Sequence, residues 1–176
     1  MKKTLIIDDF FEDPYRVIEF AKEQEYFPRN DEQYFEGIRS PDLRDIDNEF
    51  YNYAVSKIIY SYFDKDKNYD VQGNLNFHRL GEKDYNDPHW INDKVHRDAT
   101  ITSTVIYLTP DAPMESGTQV YREVNDDYKP DIVCHNKFNR MITYPGPVPH
   151  SAMDLSGGKE DRLTLLFFLY DLNIVN

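Results

Sequence analysis

The sequence predicts a mainly β protein with N-terminal helices, a jelly roll or sandwich with the helices packed on one sheet face. Two observations carry this. Apolar residues recur at helical spacing before residue 64, and after residue 70 the chain breaks into short runs rich in β-branched and aromatic residues, separated by Gly, Pro, Asn and Asp. A third is size: 176 residues suffice for one core without disulfides or metal staples. The expected organisation is one domain over 1–176, with 1–70 as a helical support and 71–176 as the β core.

In order, "TLIIDDFF" reads as a short strand. In "EDPYRVIEFAKEQEYF" Asp13 is a helix cap, Pro14 occupies the first helical position, and Val17, Ile18 and Ala21 share a side. "DNEFYNYAVSKIIYSYF" repeats Phe50, Ala54 and Ile58 with Tyr51, Val55 and Tyr62 beside them, a second amphipathic helix. "VQGNLNFHRL", "TITSTVIYL", "TQVYR", "FNRMITYPG" and "RLTLLFFLYDL" are the expected strands. Residues 81–95 and 122–138 are the long polar stretches, expected to be irregular and to cover a site or to be surface excursions.

Composition narrows the function. The net charge is −12 and no segment gathers a basic stripe, which argues against direct nucleic-acid or membrane-surface binding. The single cysteine, Cys134, excludes an internal disulfide and fits a reducing compartment. The apolar run after the two N-terminal lysines stops at Ile7, too short for a secretory signal, and no stretch is long enough for a membrane span. The expected location is cytoplasmic.

"HRD" at 96–98 also opens a kinase catalytic loop, but the Asn needed five residues after the Asp is Ser103 here, and no glycine-rich phosphate loop is present. On an extended strand, residues i and i+2 share a side, so His96 and Asp98 present an imidazole and a carboxylate to one cation while Arg97 faces away. His150, in "YPGPVPHSAM", supplies a third ligand from across a turn. Two His and one carboxylate that leave adjacent positions open are the ligand set of non-haem Fe(II) oxygenases. Arg162 and Thr164 then share a face of the last strand, where a guanidinium and a hydroxyl together clamp a carboxylate, as a dicarboxylate cosubstrate would require. The competing reading of Arg162 is a surface ion pair with one of the many acidic residues.

The span 74–171 resembles the Fe(II)/2-oxoglutarate-dependent oxygenases, especially their prolyl-hydroxylase-like branch. "HRD", "STVIYLTP", "SGTQVY", "VPHSAM" and "DRLTLLFF" follow one another in family order. The resemblance implies a double-stranded β-helix, iron held by His96, Asp98 and His150, and 2-oxoglutarate bound at its remote carboxylate by Arg162, with Tyr107 donating its hydroxyl and Thr164 nearby. It implies a dioxygenase, a hydroxylase of a peptide, amino-acid side chain or small metabolite, releasing succinate and CO₂. Ser116-Gly117 replaces the usual Gly-Gly, and Arg79 stands where many members carry a Tyr facing the cosubstrate. His78, Arg79 and Trp90 are therefore further candidates for the pocket. The alternatives are a noncatalytic jelly-roll binding protein and a cupin-like Zn or Mn enzyme, which leaves Arg162 and Tyr107 without a role.

Overall fold

A computed structural model describes residues 3–28, 35–81, 95–153 and 160–175. Trp90, and residues 82–94 of the stretch expected to cover the site, lie outside them.

The described chain runs β1 (Leu5–Ile7), α1 (Pro14–Lys22), β2 (Phe27–Pro28), β3 (Ile38–Arg39), α2 (Leu43–Ile46), α3 (Asn48–Tyr62), β4 (Asn68–Leu80), β5 (Thr102–Tyr107), β6 (Thr118–Val124), β7 (Asp127–Cys134), β8 (Met141–Pro145), β9 (His150–Ala152) and β10 (Arg162–Val175). Seven strands form an antiparallel sheet in the order β1-β8-β5-β10-β4-β3-β2, and β7-β6-β9 form a second. This is the expected jelly roll.

The helices start at capping aspartates, Asp13 where the sequence places it and Asp47 as a finding of the structure. Asp13 accepts the Arg16 amide at 3.1 Å and Asp47 accepts that of Phe50 at 2.9 Å, each satisfying an amide that the first helical turn leaves without a partner. Strand alternation then sorts β10 into two faces. Leu165 and Phe167 point to the helices, where they join Leu75, Phe77, Ile106 and Met141 against Val17, Ile18, Ala21, Ala54, Val55 and Ile58. Burying a ring such as Phe167 stabilises the fold by roughly 1.5–3 kcal/mol. The opposite face, with Arg162, Thr164, Leu166 and Phe168, looks toward the small sheet.

Between the sheets lies a smaller core of Tyr107, Val120, Cys134, Ile142 and Tyr144. Tyr107 and Thr164 are register partners, and Thr164 is in turn opposite His78, which is opposite Arg39. One row of side chains therefore runs Tyr107–Thr164–His78–Arg39 across four strands on the face away from the helices.

Three expectations are corrected. Residues 122–138 are not an irregular cover: β6 and β7 form a hairpin whose two-residue turn, Asn125-Asp126, has φ of 52° and 62°. Two successive left-handed residues match the twist of flanking strands, and Asn and Asp tolerate that conformation better than most residues. Residues 1–70, expected as a helical support opening on one short strand, also contribute β2 and β3 to the large sheet. Arg79 does not join the row above. It is paired with Leu163, donates to Asp161 at 2.9 Å and stacks over Tyr26 on the helix side, because alternate residues of β4 face opposite ways.

Candidate metal and carboxylate site

His96 and His150 lie 54 residues apart and meet through the backbone: each amide donates to the other's carbonyl at 2.9 Å. Asp98 is tied to the same turn, its amide donating to the Gly146 carbonyl at 2.9 Å. Gly146 is required there, since a Cβ would stand 2.4 Å from the Thr100 carbonyl oxygen. These bonds set the three side chains facing one another, with one ligand atom from each lying within 4.8 Å of the others. Among the described residues this is the one cluster of three or more such groups with ligand spacing.

His150 and Asp98 are each oriented by a neighbour. His150 Nδ1 lies 2.9 Å from the Val148 carbonyl oxygen. A carbonyl only accepts, so Nδ1 carries the proton, and Nε2 is left as the lone-pair nitrogen of the neutral ring. That nitrogen stands 3.3 Å from Asp98 Oδ2, while His96 Nε2 is 3.7 Å from Asp98 Oδ1. A lone pair confronting a carboxylate is repulsive without a proton or a cation between them, which is the environment a metal ligand needs. Ser103 donates its hydroxyl to Asp98 Oδ2 at 2.5 Å and in turn lies 3.0 Å from Thr100 Oγ1. Burial pushes the Asp98 carboxyl upward, but the pull of His150 and His96 in their protonated forms and the hydroxyl of Ser103 outweigh it, so its pKa lies below the ordinary value. Tyr144 packs its ring 4.5 Å from that of His150, and burial raises its phenol pKa well above normal.

Burial is graded. The His150 side chain is 4% exposed, Asp98 19% and His96 55%, so the cluster is walled on the sheet side and opens toward solvent at His96.

Arg162 and Thr164 occupy the inner end of the same face. Arg162 is 5% exposed and donates from Nε to the Ser116 carbonyl at 3.0 Å, with its guanidinium 5.7 Å from the centre of the Tyr107 ring. Thr164 is fully buried and, among the described residues, its hydroxyl has no hydrogen-bond partner. Such an orphan is costly in a finished core and is satisfied when a ligand supplies an acceptor. Tyr107 is also fully buried, and here its hydroxyl donates to Thr118 at 2.7 Å.

His78 adjoins Thr164 through register. Its Nε2 lies 2.6 Å from the Glu36 carbonyl oxygen, and burial, then the charge of Arg39, lowers its pKa to about 3. It is a neutral imidazole in the row. Cys134 is buried, and burial raises its thiol to about 11, which leaves it a packing residue.

Of the residues singled out in the sequence, the structure brings together His96, Asp98 and His150, sets Tyr107, Thr164, His78 and Arg162 on the same sheet face, and turns Arg79 away. Ser103, Tyr144 and Arg39 escaped sequence reasoning. Ser103 had a signal, lying on the side of β5 that Val105 and Tyr107 share.

The family whose model matches, over residues 1–130, is described as a family of unknown function (DUF6445). No curated protein matches the sequence. Solved structures match along nearly the whole chain. The non-heme alpha ketoglutarate dependent epimerase SnoN from nogalamycin biosynthesis superposes with a TM-score of 0.67 at 14% identity, over 97% of this chain and 78% of that one. HygX from Streptomyces hygroscopicus, with nickel and 2-oxoglutarate bound, gives 0.59 at 12% identity over 94% and 82%. A Pseudomonas putida prolyl-4-hydroxylase gives 0.59 at 14% identity over 97% and 94%. The fold is thus that of the 2-oxoglutarate-Fe(II) oxygenases, prolyl hydroxylases among them.

Proposed function

The chain belongs to the family of unknown function DUF6445, and we propose that it is an Fe(II)- and 2-oxoglutarate-dependent dioxygenase that hydroxylates a peptide or amino-acid side chain or a small metabolite, built as one domain. The observation that carries this reading is the pairing of two features on one sheet face: His96, Asp98 and His150 converging within 4.8 Å, and the fully buried Thr164 hydroxyl without a partner beside buried Arg162. A metal site alone would not need the second. The cupin-like alternative, metal without a cosubstrate, offers nothing for that hydroxyl to bind.

The donor set fits the group. Two neutral imidazoles and a carboxylate suit Fe(II), and three protein ligands leave positions for a chelating 2-oxo acid and for O₂. Bound Fe(II) and 2-oxoglutarate supply oxidative decarboxylation to succinate and CO₂ coupled to oxidation of a substrate C–H bond. The chain's residues do the rest. Val148 fixes the His150 tautomer and Ser103 fixes the Asp98 carboxylate. Arg162 offers its guanidinium and Thr164 its hydroxyl to the remote carboxylate, in a wall where Ile142, Val105 and Leu166 exclude water.

A catalytic role is tested by following succinate release from 2-oxoglutarate under air. Wild type turns over; His96→Ala and Asp98→Ala fall to background. Equal turnover in these variants sinks the proposal, and a wild type that binds metal but never consumes 2-oxoglutarate favours a noncatalytic binding protein.

A further inference from the structure

Arg39 stands at the far end of the row Tyr107–Thr164–His78–Arg39, opposite His78 in register. Two rings flank its guanidinium, Phe35 at 3.9 Å and Phe168 at 5.5 Å from centroid to Cζ. Phe168 is opposite Ser103, the residue that holds Asp98, so the guanidinium lies on the metal side of the sheet and in the field of Asp98. Its Nε is shut off from solvent, and among the described residues it has no hydrogen-bond partner and no carboxylate pairs with the guanidinium. Burial depresses its pKa to about 10, the mark of a cation poorly solvated where it stands.

A partly desolvated guanidinium without an anion is destabilising unless something outside the chain completes it. The cosubstrate does not. One 2-oxoglutarate carboxylate is taken by Arg162 and Thr164 and the other belongs at the metal, so its two charges are spoken for before Arg39 is reached. Phe35 and Phe168 stand beside the guanidinium. Its N–H donors lie in its plane, so the two Nη nitrogens offer an end-on fork that matches a carboxylate.

Resting on the oxygenase reading, we infer that the substrate carries a carboxylate and that Arg39 binds it, which places the oxidised carbon between Arg39 and the His96/Asp98/His150 cluster. Arg39 is then a specificity residue for acidic substrates.

The test uses the full chain loaded with Fe(II) and 2-oxoglutarate, a panel of N-acetyl amino acids and, for each, the corresponding C-terminal amide. At least one acid is expected to stimulate succinate release with a KM about tenfold or more below that of its amide, the worth of one charge-assisted fork. Arg39→Gln is expected to erase that preference through the KM for the acid, and Arg39→Lys to keep part of it. A second readout needs no activity: metal-free Arg39→Met should melt at or above the wild-type temperature, because a structural cation would be missed and an unpaired one is not. Acids and amides of equal KM, no stimulation by any acid, an Arg39→Gln effect confined to the KM for 2-oxoglutarate, or an Arg39→Met melting point lower by more than about 5 °C would each overturn the assignment. If wild type never consumes 2-oxoglutarate, with or without a probe, the oxygenase reading has failed and takes this inference with it. A wild type that does so while acids and amides behave alike refutes the role of Arg39 alone.

Discussion

His96 and His150 are joined by a reciprocal pair of backbone hydrogen bonds, both 2.9 Å, so the geometry of the two imidazoles is set by main chain. Substituting the His96 side chain leaves that bridge intact. His96→Ala should therefore melt within about 2 °C of wild type without metal, as exposed substitutions usually do. Metal should raise the melting temperature of wild type but not of the variant, since ligand bound only to the folded state stabilises it. Equal stabilisation of both by Fe(II) under anaerobic conditions, read by thermal melts, would contradict the assignment of His96.

Ser103 would act on a bound metal through Asp98. Its hydroxyl donates to Oδ2, and Ser103→Ala frees that oxygen to rotate. Partners that orient ligands are worth roughly 10–100-fold in metal affinity, and competition with a chelating dye should show a loss of that size. An unchanged affinity would reduce Ser103 to a packing residue.

The Thr164 hydroxyl divides stability from binding. Because it is buried with no partner, Thr164→Val removes a desolvated donor and should leave the unloaded protein as stable or up to about 1 kcal/mol more so. The same change should weaken 2-oxoglutarate binding several-fold. Urea titration and calorimetry with 2-oxoglutarate and Mn(II) separate the two; a destabilised variant that binds normally would deny the hydroxyl its role.

His78 makes stability depend on pH. Its pKa is lowered to about 3 in the folded chain, by burial and then by Arg39, from 6.5 in the reference state. Between these values the unfolded chain holds the proton and the folded chain does not, so stability rises with pH in that window. The contribution is complete above about pH 6.5 and is lost as pH falls toward 3, with a slope of up to about 1.4 kcal/mol per pH unit. Urea unfolding at pH 4.5, 5.5 and 6.5 should show this slope in wild type and a shallower one in His78→Leu. Parallel slopes would mean that another group carries the dependence.

The elements with strong periodicity were legible in the sequence. Helix α1 with its Asp13 cap and Pro14, helix α3, and the strands containing "NLNFHRL" and "RLTLLFFLY" read directly because one face of each is buried. Strand β7 did not, since seven of its eight residues are not buried and Pro130 interrupts its alternation at a register shift. Only the turn at Asn125-Asp126 marked it. In the candidate site, His96 and Asp98 were legible from strand alternation, and Arg162 and Thr164 from the face they share on the last strand, while His150 was joined to them only by residue type and the order of motifs along the chain. Arg39 was not legible, because a two-residue strand has no period to read and its meaning comes from Phe168 and His78, brought beside it by strand pairing far along the chain.

A crystal structure with Mn(II) and the cosubstrate analogue N-oxalylglycine tests the site most directly. The expected result is a metal ion bound at about 2.0–2.2 Å by His96, Asp98 and His150, with the remote carboxylate of the analogue on Arg162 and the Thr164 hydroxyl. A metal bound elsewhere, or an analogue whose carboxylate avoids both residues, would contradict it.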